Sequence, residues 1–160
     1  MDGPATCRHR ASVTGMETCS GVGRQGRVLH GRTLVRGHVE AEALVSQTPV
    51  CFSPEYFDLR SGTYLERGHE LHGRSLAGKI LVYPCGRGFS GGAYCIYALM
   101  LHGVAPVGCV AVRLETVSLI GMVISGIPSI DSCDENPLRV ITSGQRVRLD
   151  ANRGVVEIGV

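Results

Sequence analysis

The chain of 160 residues contains no tryptophan, three phenylalanines and a single lysine, Lys79. Its seven cysteines, Cys7, Cys19, Cys51, Cys85, Cys95, Cys109 and Cys133, form no C-x-x-C and no metal-ligand spacing. That scatter argues against a zinc ribbon, a thioredoxin-like redox pair or a cluster held by this chain. The odd count and the lack of an apolar h-region at the N-terminus predict reduced thiols, no signal peptide and a cytoplasmic setting. No apolar run reaches the length of a membrane span, because Arg113, Glu115 and several glycines interrupt the stretch from Val104 to Ile130. An excess of one charge sign is also missing. The formal net charge is +2, which gives no reason to expect nucleic acid or a membrane surface as partner. Arginine in place of lysine suits planar contacts to carboxylate or phosphate, and genome composition produces the same bias.

What is present reads as one globular domain. Hydrophobic residues make up 44% and charged residues 19%. Residues 1–26 lack apolar periodicity and are expected to form a loose arm ahead of a domain at 27–160. "RVLHGRTLVRGHVEAEALVS" shows short β-type runs broken by Gly31 and Gly37. "QTPVCFSPEYFDLRSGTYLE" reads as a loop with a turn. A compact strand, Lys79 to Tyr83, stops at Pro84. A helix follows from about Gly92 to His102, with Tyr94, Tyr97, Ala98 and Leu101 on one face and Gly103 as its stop. "PVGCVAVRL" predicts a second buried strand, "TVSLIGMVISG" a second helix and "IPSID" a short strand. "LRVITSGQRVRLDANRGVVEIGV" predicts a closing β-meander with turns at Ser143-Gly144 and Asn152-Arg153-Gly154. The expected class is an α/β fold, β-rich at both ends around one strand–helix–strand unit.

The chemistry concentrates in "CGRGFSGGAYCIYAL", residues 85–99. Gly86, Gly88 and Gly91 make a G-x-G-x-x-G, and Gly88, Ser90 and Gly92 make a G-x-S-x-G. The serine-hydrolase reading fails on its partners. Its base should follow the nucleophile and an acid, yet the last histidine is His102, close behind Ser90. The dinucleotide reading gains from Glu115, near the place expected for a ribose-binding acid. It loses because only one strand–helix–strand unit is visible. What survives is an anion-reading corner: small residues, N–H groups at a helix start, a hydroxyl on Ser90 and a fork of donors on Arg87. The plainer alternative makes Ser90 an N-cap and Arg87 a surface charge.

The run "LHGRSLAGKILVYPCGRGFSGGAYCIYAL", with "GIPSID" and "TSGQRVRLDANRGVVEI" further on, resembles the swivel domain of the aconitase X family over about residues 27–160. The resemblance implies a swivelling β/β/α fold and the small subunit of a two-chain hydro-lyase, or its detached equivalent. It implies a large subunit that carries an iron–sulfur cluster and a small subunit that offers a serine as base. Carried onto this chain, Ser90 is the base. Arg87, Gly88, Phe89, Gly91 and Gly92 surround a small anionic substrate. Two departures stand out. The family's serine directly follows the second glycine, where this chain has Phe89, and a Phe-Trp-Gly-Gly loop is replaced by "CFSPEYFDLRSG". The expected substrate is cis-3-hydroxy-L-proline, dehydrated to a pyrroline carboxylate. The alternatives are a phosphomevalonate dehydratase small subunit and an anion-binding module without chemistry.

Overall fold

The computed structural model describes residues 26–88 and 90–159. Nearly all of the expected N-terminal arm, and Phe89, lie outside the described residues. The strands are β1 (Arg27–His30), β2 (Arg32–Val35), β3 (His38–Val45), β4 (Phe57–Asp58), β5 (Thr63–Tyr64), β6 (Ile80–Tyr83), β7 (Gly108–Ala111), β8 (Ser129–Asp131), β9 (Arg146–Asp150) and β10 (Val155–Ile158). The helices are α1 (Gly92–Leu101), α2 (Thr116–Ser125) and α3 (Pro137–Val140).

Eight strands form one mixed sheet in the order β1-β10-β9-β3-β6-β7-β8-β2, while β4 and β5 make a small separate hairpin. Strands β3, β6, β7 and β8 run parallel, and the remaining pairings in the large sheet are antiparallel. The two ends of that order, β1 and β2, are separated in sequence by Gly31 alone. The sheet therefore curls until its edges approach, a nearly closed barrel that leaves little edge unprotected. Gly31 is required at the seam. A Cβ there would lie 2.4 Å from Ile130 Cγ2 and 2.9 Å from the Asp131 carbonyl oxygen. Its N–H donates to the Gly154 carbonyl at 2.9 Å.

The apolar runs of β6 and β7 are continuous because both faces of these parallel strands are buried. Leu81, Tyr83, Cys109 and Ala111 join Ile96, Leu99 and Met122 in the core on the helix side. Ile80, Val82 and Val110 join Leu29, Val147, Leu149 and Val156 in the core on the other side.

Three expectations need correction. Two crossover units are present, not one: β6-α1-β7 and β7-α2-β8 share β7. The closing segment begins with a helical turn, α3, where a strand was expected. Asn136 caps it by accepting from the Leu138 N–H at 3.0 Å, and Pro137 suits the first helical position. The presumed loop before β6 also carries structure. It contains a 3-10 turn at Pro54–Tyr56 and the β4–β5 hairpin, whose Phe57 and Tyr64 reach the core.

The helix expected at 92–102 forms as α1, and His102 is its C-cap. Its Tyr94–Tyr97–Leu101 face points to solvent, with Tyr94 76% exposed, while Ala93, Cys95, Ile96 and Leu99 are buried. Helix α1 is apolar nearly all round, so its pattern did not say which side packs. Gly121 of α2 settles this. A Cβ there would lie 2.7 Å from Ile96 Cδ1 and 3.1 Å from the Ala93 Cα, so only glycine admits so close an approach. The two helices start after neighbouring parallel strands, and their N-termini emerge side by side.

Candidate active site at the glycine turn

Beyond β6, the turn is zipped to the segment around Val50. The Val50 N–H donates to the Cys85 carbonyl at 3.2 Å, and the Arg87 N–H donates to the Val50 carbonyl at 3.0 Å. Gly88 follows with φ of 50°, a left-handed conformation that suits glycine. Gly91 is the N-cap of α1 and offers no side-chain cap. The N–H groups of Tyr94 and Cys95 both reach the Gly91 carbonyl, at 3.0 and 3.2 Å. Ser90 is thus not the cap residue, and its exposed hydroxyl is not committed to that role.

A cavity of about 250 Å³ opens at this corner. Of the residues expected at the site, Arg87, Gly88, Ser90 and Gly92 line it. Gly91, the cap directly ahead of Gly92, does not itself line the cavity, and Phe89 lies outside the described residues. Phe52, Val117 and Ser118 complete the lining together with Glu115. The first three carried no local signal, because the cavity is assembled from three separate segments. Gly92 keeps the gap open: a Cβ there would lie 3.2 Å from Val117 Cγ1 and 3.4 Å from the Phe52 carbonyl oxygen.

The two helix starts differ in electrostatics. Helix α2 supplies its own anion. Glu115 is its N-cap, accepting the Ser118 N–H at 2.8 Å on one carboxylate oxygen and the Ser118 hydroxyl on the other. Glu115 is therefore spent on capping rather than held ready for a ribose. Helix α1 has no side-chain anion at its start, so its positive end still favours a negative group in the cavity. Arg87 stands on the rim, ion-paired with Glu66, and its Nε donates to the Pro49 carbonyl at 3.3 Å. The Glu66 bond raises the Arg87 pKa.

The described residues do not fit an iron–sulfur cluster. Among them, no group of three or more His, Cys, Asp or Glu converges on one point. Cys95 and Cys109 are core residues, and burial pushes both thiols up to about 12. Burial likewise pushes Cys133 to about 11. Thiols so disfavoured as thiolates are poor ligands.

A nearly closed mixed sheet whose parallel strands lead into two adjoining helix starts, with a serine on a glycine turn between them, defines a swivel domain of aconitase type. The Aconitase X swivel domain family matches residues 28–158, and the chain belongs to it. It is 40% identical over 130 residues to the phosphomevalonate dehydratase small subunit of Thermococcus onnurineus, covering 81% of this chain and 97% of that protein. With the corresponding small subunit of Methanocella arvoryzae it shares 35% identity over 130 residues, covering 81% and 98%. The crystal structure of Thermococcus kodakaraensis aconitase X (holo-form) superimposes with a TM-score of 0.77 at 38% identity. That match covers 83% of this chain and 98% of the other. The chain is accordingly a small subunit of an aconitase X type dehydratase. Among its described residues no helix is long and apolar enough to cross a membrane.

Proposed function

We propose that this small subunit serves a dehydratase whose substrate is a phosphorylated 3-hydroxy acid of the phosphomevalonate type. The names of the relatives support that alternative over cis-3-hydroxy-L-proline. The observation that carries the catalytic reading is the shared cavity: Ser90 and Arg87 flank one opening at the start of a helix without a side-chain anion.

In the reaction, the carbon beside the carboxylate loses a proton. The C–H electron pair forms the new double bond to the neighbouring carbon, the C–O bond there breaks with its pair leaving on the hydroxyl oxygen, and the abstracted proton completes the water. Ser90 takes the proton. Arg87 and the Gly92 N–H at the cavity wall hold the carboxylate or phosphate, with the Gly91 N–H beside it at the cap and Gly88 giving backbone access. Phe89, which stands in sequence where the family has serine, lies outside the described residues, and its expected place beside the substrate is carried by the resemblance alone. The iron–sulfur cluster, as Lewis acid for the leaving hydroxyl, belongs in this reading to the large subunit.

Magnitudes set the division of labour. An aliphatic hydroxyl, like bulk water, loses its proton only far above neutral pH. One pKa unit corresponds to about 1.4 kcal/mol, and a helix N-terminus contributes at most about 2 kcal/mol. This corner therefore does little by itself to make the Ser90 hydroxyl a base. The large subunit must supply the remaining positive potential, so the isolated chain is inactive.

Co-expression with the large subunit, followed by turnover assays on phosphomevalonate and on cis-3-hydroxy-L-proline, tests the reading. The complex should dehydrate the first and the isolated chain neither. Turnover of hydroxyproline alone would transfer the substrate to the other branch. Anion binding by a complex that turns over neither compound would favour the module without chemistry.

A further inference from the structure

Arg87 does not stand alone at the rim of the cavity. A strap running from β5 to residue 71 holds it from behind. The Cys51 N–H donates to the Tyr64 hydroxyl at 3.1 Å, and that hydroxyl donates to Glu66 Oε2 at 2.5 Å. Glu66 then accepts from Arg87 Nη2 through its other oxygen. Tyr64 is fully buried, and the Glu66 side chain is only 17% exposed. Burial would raise the Glu66 pKa, but the bonds from Tyr64 and Arg87 outweigh it and hold the carboxyl below its ordinary range.

The strap is itself pinned. His69 accepts the Leu71 N–H on Nδ1 at 3.1 Å, which leaves Nε2 to donate to the Thr48 hydroxyl at 2.9 Å and the Pro49 carbonyl at 3.3 Å. Glu70 accepts the Thr48 N–H at 2.8 Å and the Ser46 hydroxyl at 3.0 Å. The Pro49 carbonyl that meets His69 also takes Arg87 Nε. One edge of the guanidinium, Nε with Nη2, is thus fixed by Pro49 and Glu66, while Arg87 lines the Ser90 cavity. The Nη1 side has no hydrogen-bond partner among the described residues.

From these contacts we infer that Glu66, fixed by Tyr64, is the positioning residue that aims Arg87 into the Ser90 cavity. The inference rests on the proposed dehydratase reading for the identity of the bound anion. Glu66 acts through Arg87 and touches no substrate. A guanidinium on a long flexible stem loses much freedom when it binds an anion, and a carboxylate that holds its far edge removes that loss in advance.

The sign of one substitution separates this role from simple electrostatics. Glu66→Gln removes a negative charge near the site. Charge alone would then tighten an anionic substrate, whereas loss of aim weakens productive binding. In the complex with the large subunit, Glu66→Gln should lower kcat/KM for the acid about tenfold or more. Tyr64→Phe keeps the charge and should lower it in the same direction by less. In an Arg87→Ala background, Glu66→Gln should add nothing. An unchanged or raised kcat/KM in Glu66→Gln, or additive losses in the double variant, overturns the inference.

A second measurement does not depend on turnover. In the full chain, the Arg87 Nε–H signal should be ordered by NMR relaxation in the wild type and mobile in both Glu66→Gln and Tyr64→Phe. Equal order in wild type and variants overturns the inference. A wild-type complex that turns over no acid, with Arg87 still released in the variants, defeats the dehydratase reading and leaves the positioning role standing.

Discussion

Gly86 and Glu115 occupy one another's space. A Cβ built on Gly86 would lie 1.9 Å from Glu115 Oε1, and 2.5 Å from Ser118 Oγ. The first glycine of the G-x-G-x-x-G is therefore needed for the cap of α2, and no nucleotide is required to explain it. Gly86→Ala should push Glu115 off its cap, at a cost of about 1 kcal/mol. Glu115→Ala should cost a similar amount by the same route. Chemical denaturation of both single variants and the double variant checks this, and the two losses should add to clearly less than their sum. Full additivity would mean that the glycine serves some other neighbour.

Ser90 separates stability from turnover. It is not the cap of α1, since Gly91 holds that place. Ser90→Ala should leave the thermal midpoint of the complex nearly unchanged and lower kcat by about 100- to 10,000-fold, the worth of a general base. A variant that keeps most of its kcat would remove Ser90 from the reaction. Phe89→Ser in the Ser90→Ala background should restore part of the activity if a hydroxyl one residue earlier reaches the same proton.

Asp131 gives the fold a specific acid dependence. Its buried carboxylate accepts Arg32 Nε and Nη2, both at 2.9 Å, and the Leu114 N–H at 3.0 Å. Burial alone would raise its pKa, but the Arg32 bonds and the Leu114 N–H hold it below the usual range. A folded value below the unfolded one contributes stability above about pH 3.9, and that contribution is lost as pH falls through the folded value. Asp131→Asn should cost about 1.5–3 kcal/mol at neutral pH and flatten the decline as pH falls below the ordinary carboxylate range. Urea titrations at a series of pH values read both effects. An undiminished acid slope in the variant would place the dependence elsewhere.

The exposed apolar side chains concentrate on the helix layer. Tyr94, Leu101, Val123 and Ile124 are 76%, 64%, 54% and 46% exposed. Tyr94 lies in the first turn of α1 and is the most exposed of these side chains, so a large subunit that covers the helix layer would meet it. Tyr94→Asp should weaken association by about 2 kcal/mol, the scale of an aromatic anchor, without changing the fold of the small chain. Sedimentation equilibrium of the mixed subunits gives the number, and undiminished affinity would move the contact to another face.

Much of the architecture was readable in advance. The strand ahead of Pro84, both helices, the first with Gly103 after its end, and the glycine turn that joins strand to helix appear where the residues suggested. Other features were hidden. The α3 turn was masked because "LRVIT" alternates like a strand, while the Asn136–Pro137 cap decides otherwise. The glutamate behind Arg87 was also hidden, since nothing near residue 66 in the chain announces a partner at residue 87.

The sequence by itself determined the elements and the kind of corner. Steric limits at glycine and proline, and the continuous apolar runs of strands buried on both faces, are local or nearly local facts. Only the tertiary structure decided which side of α1 is buried, what Gly31 and Gly86 are for, and where the Arg87 fork points. Each of these depends on strand order. Curling the sheet brings β1 beside β2, and the crossovers bring Gly121 against Ile96 and Glu115 against Gly86. Contacts between distant residues exist only once both faces of the parallel strands have been covered, because that burial sets the register at which the remote groups meet.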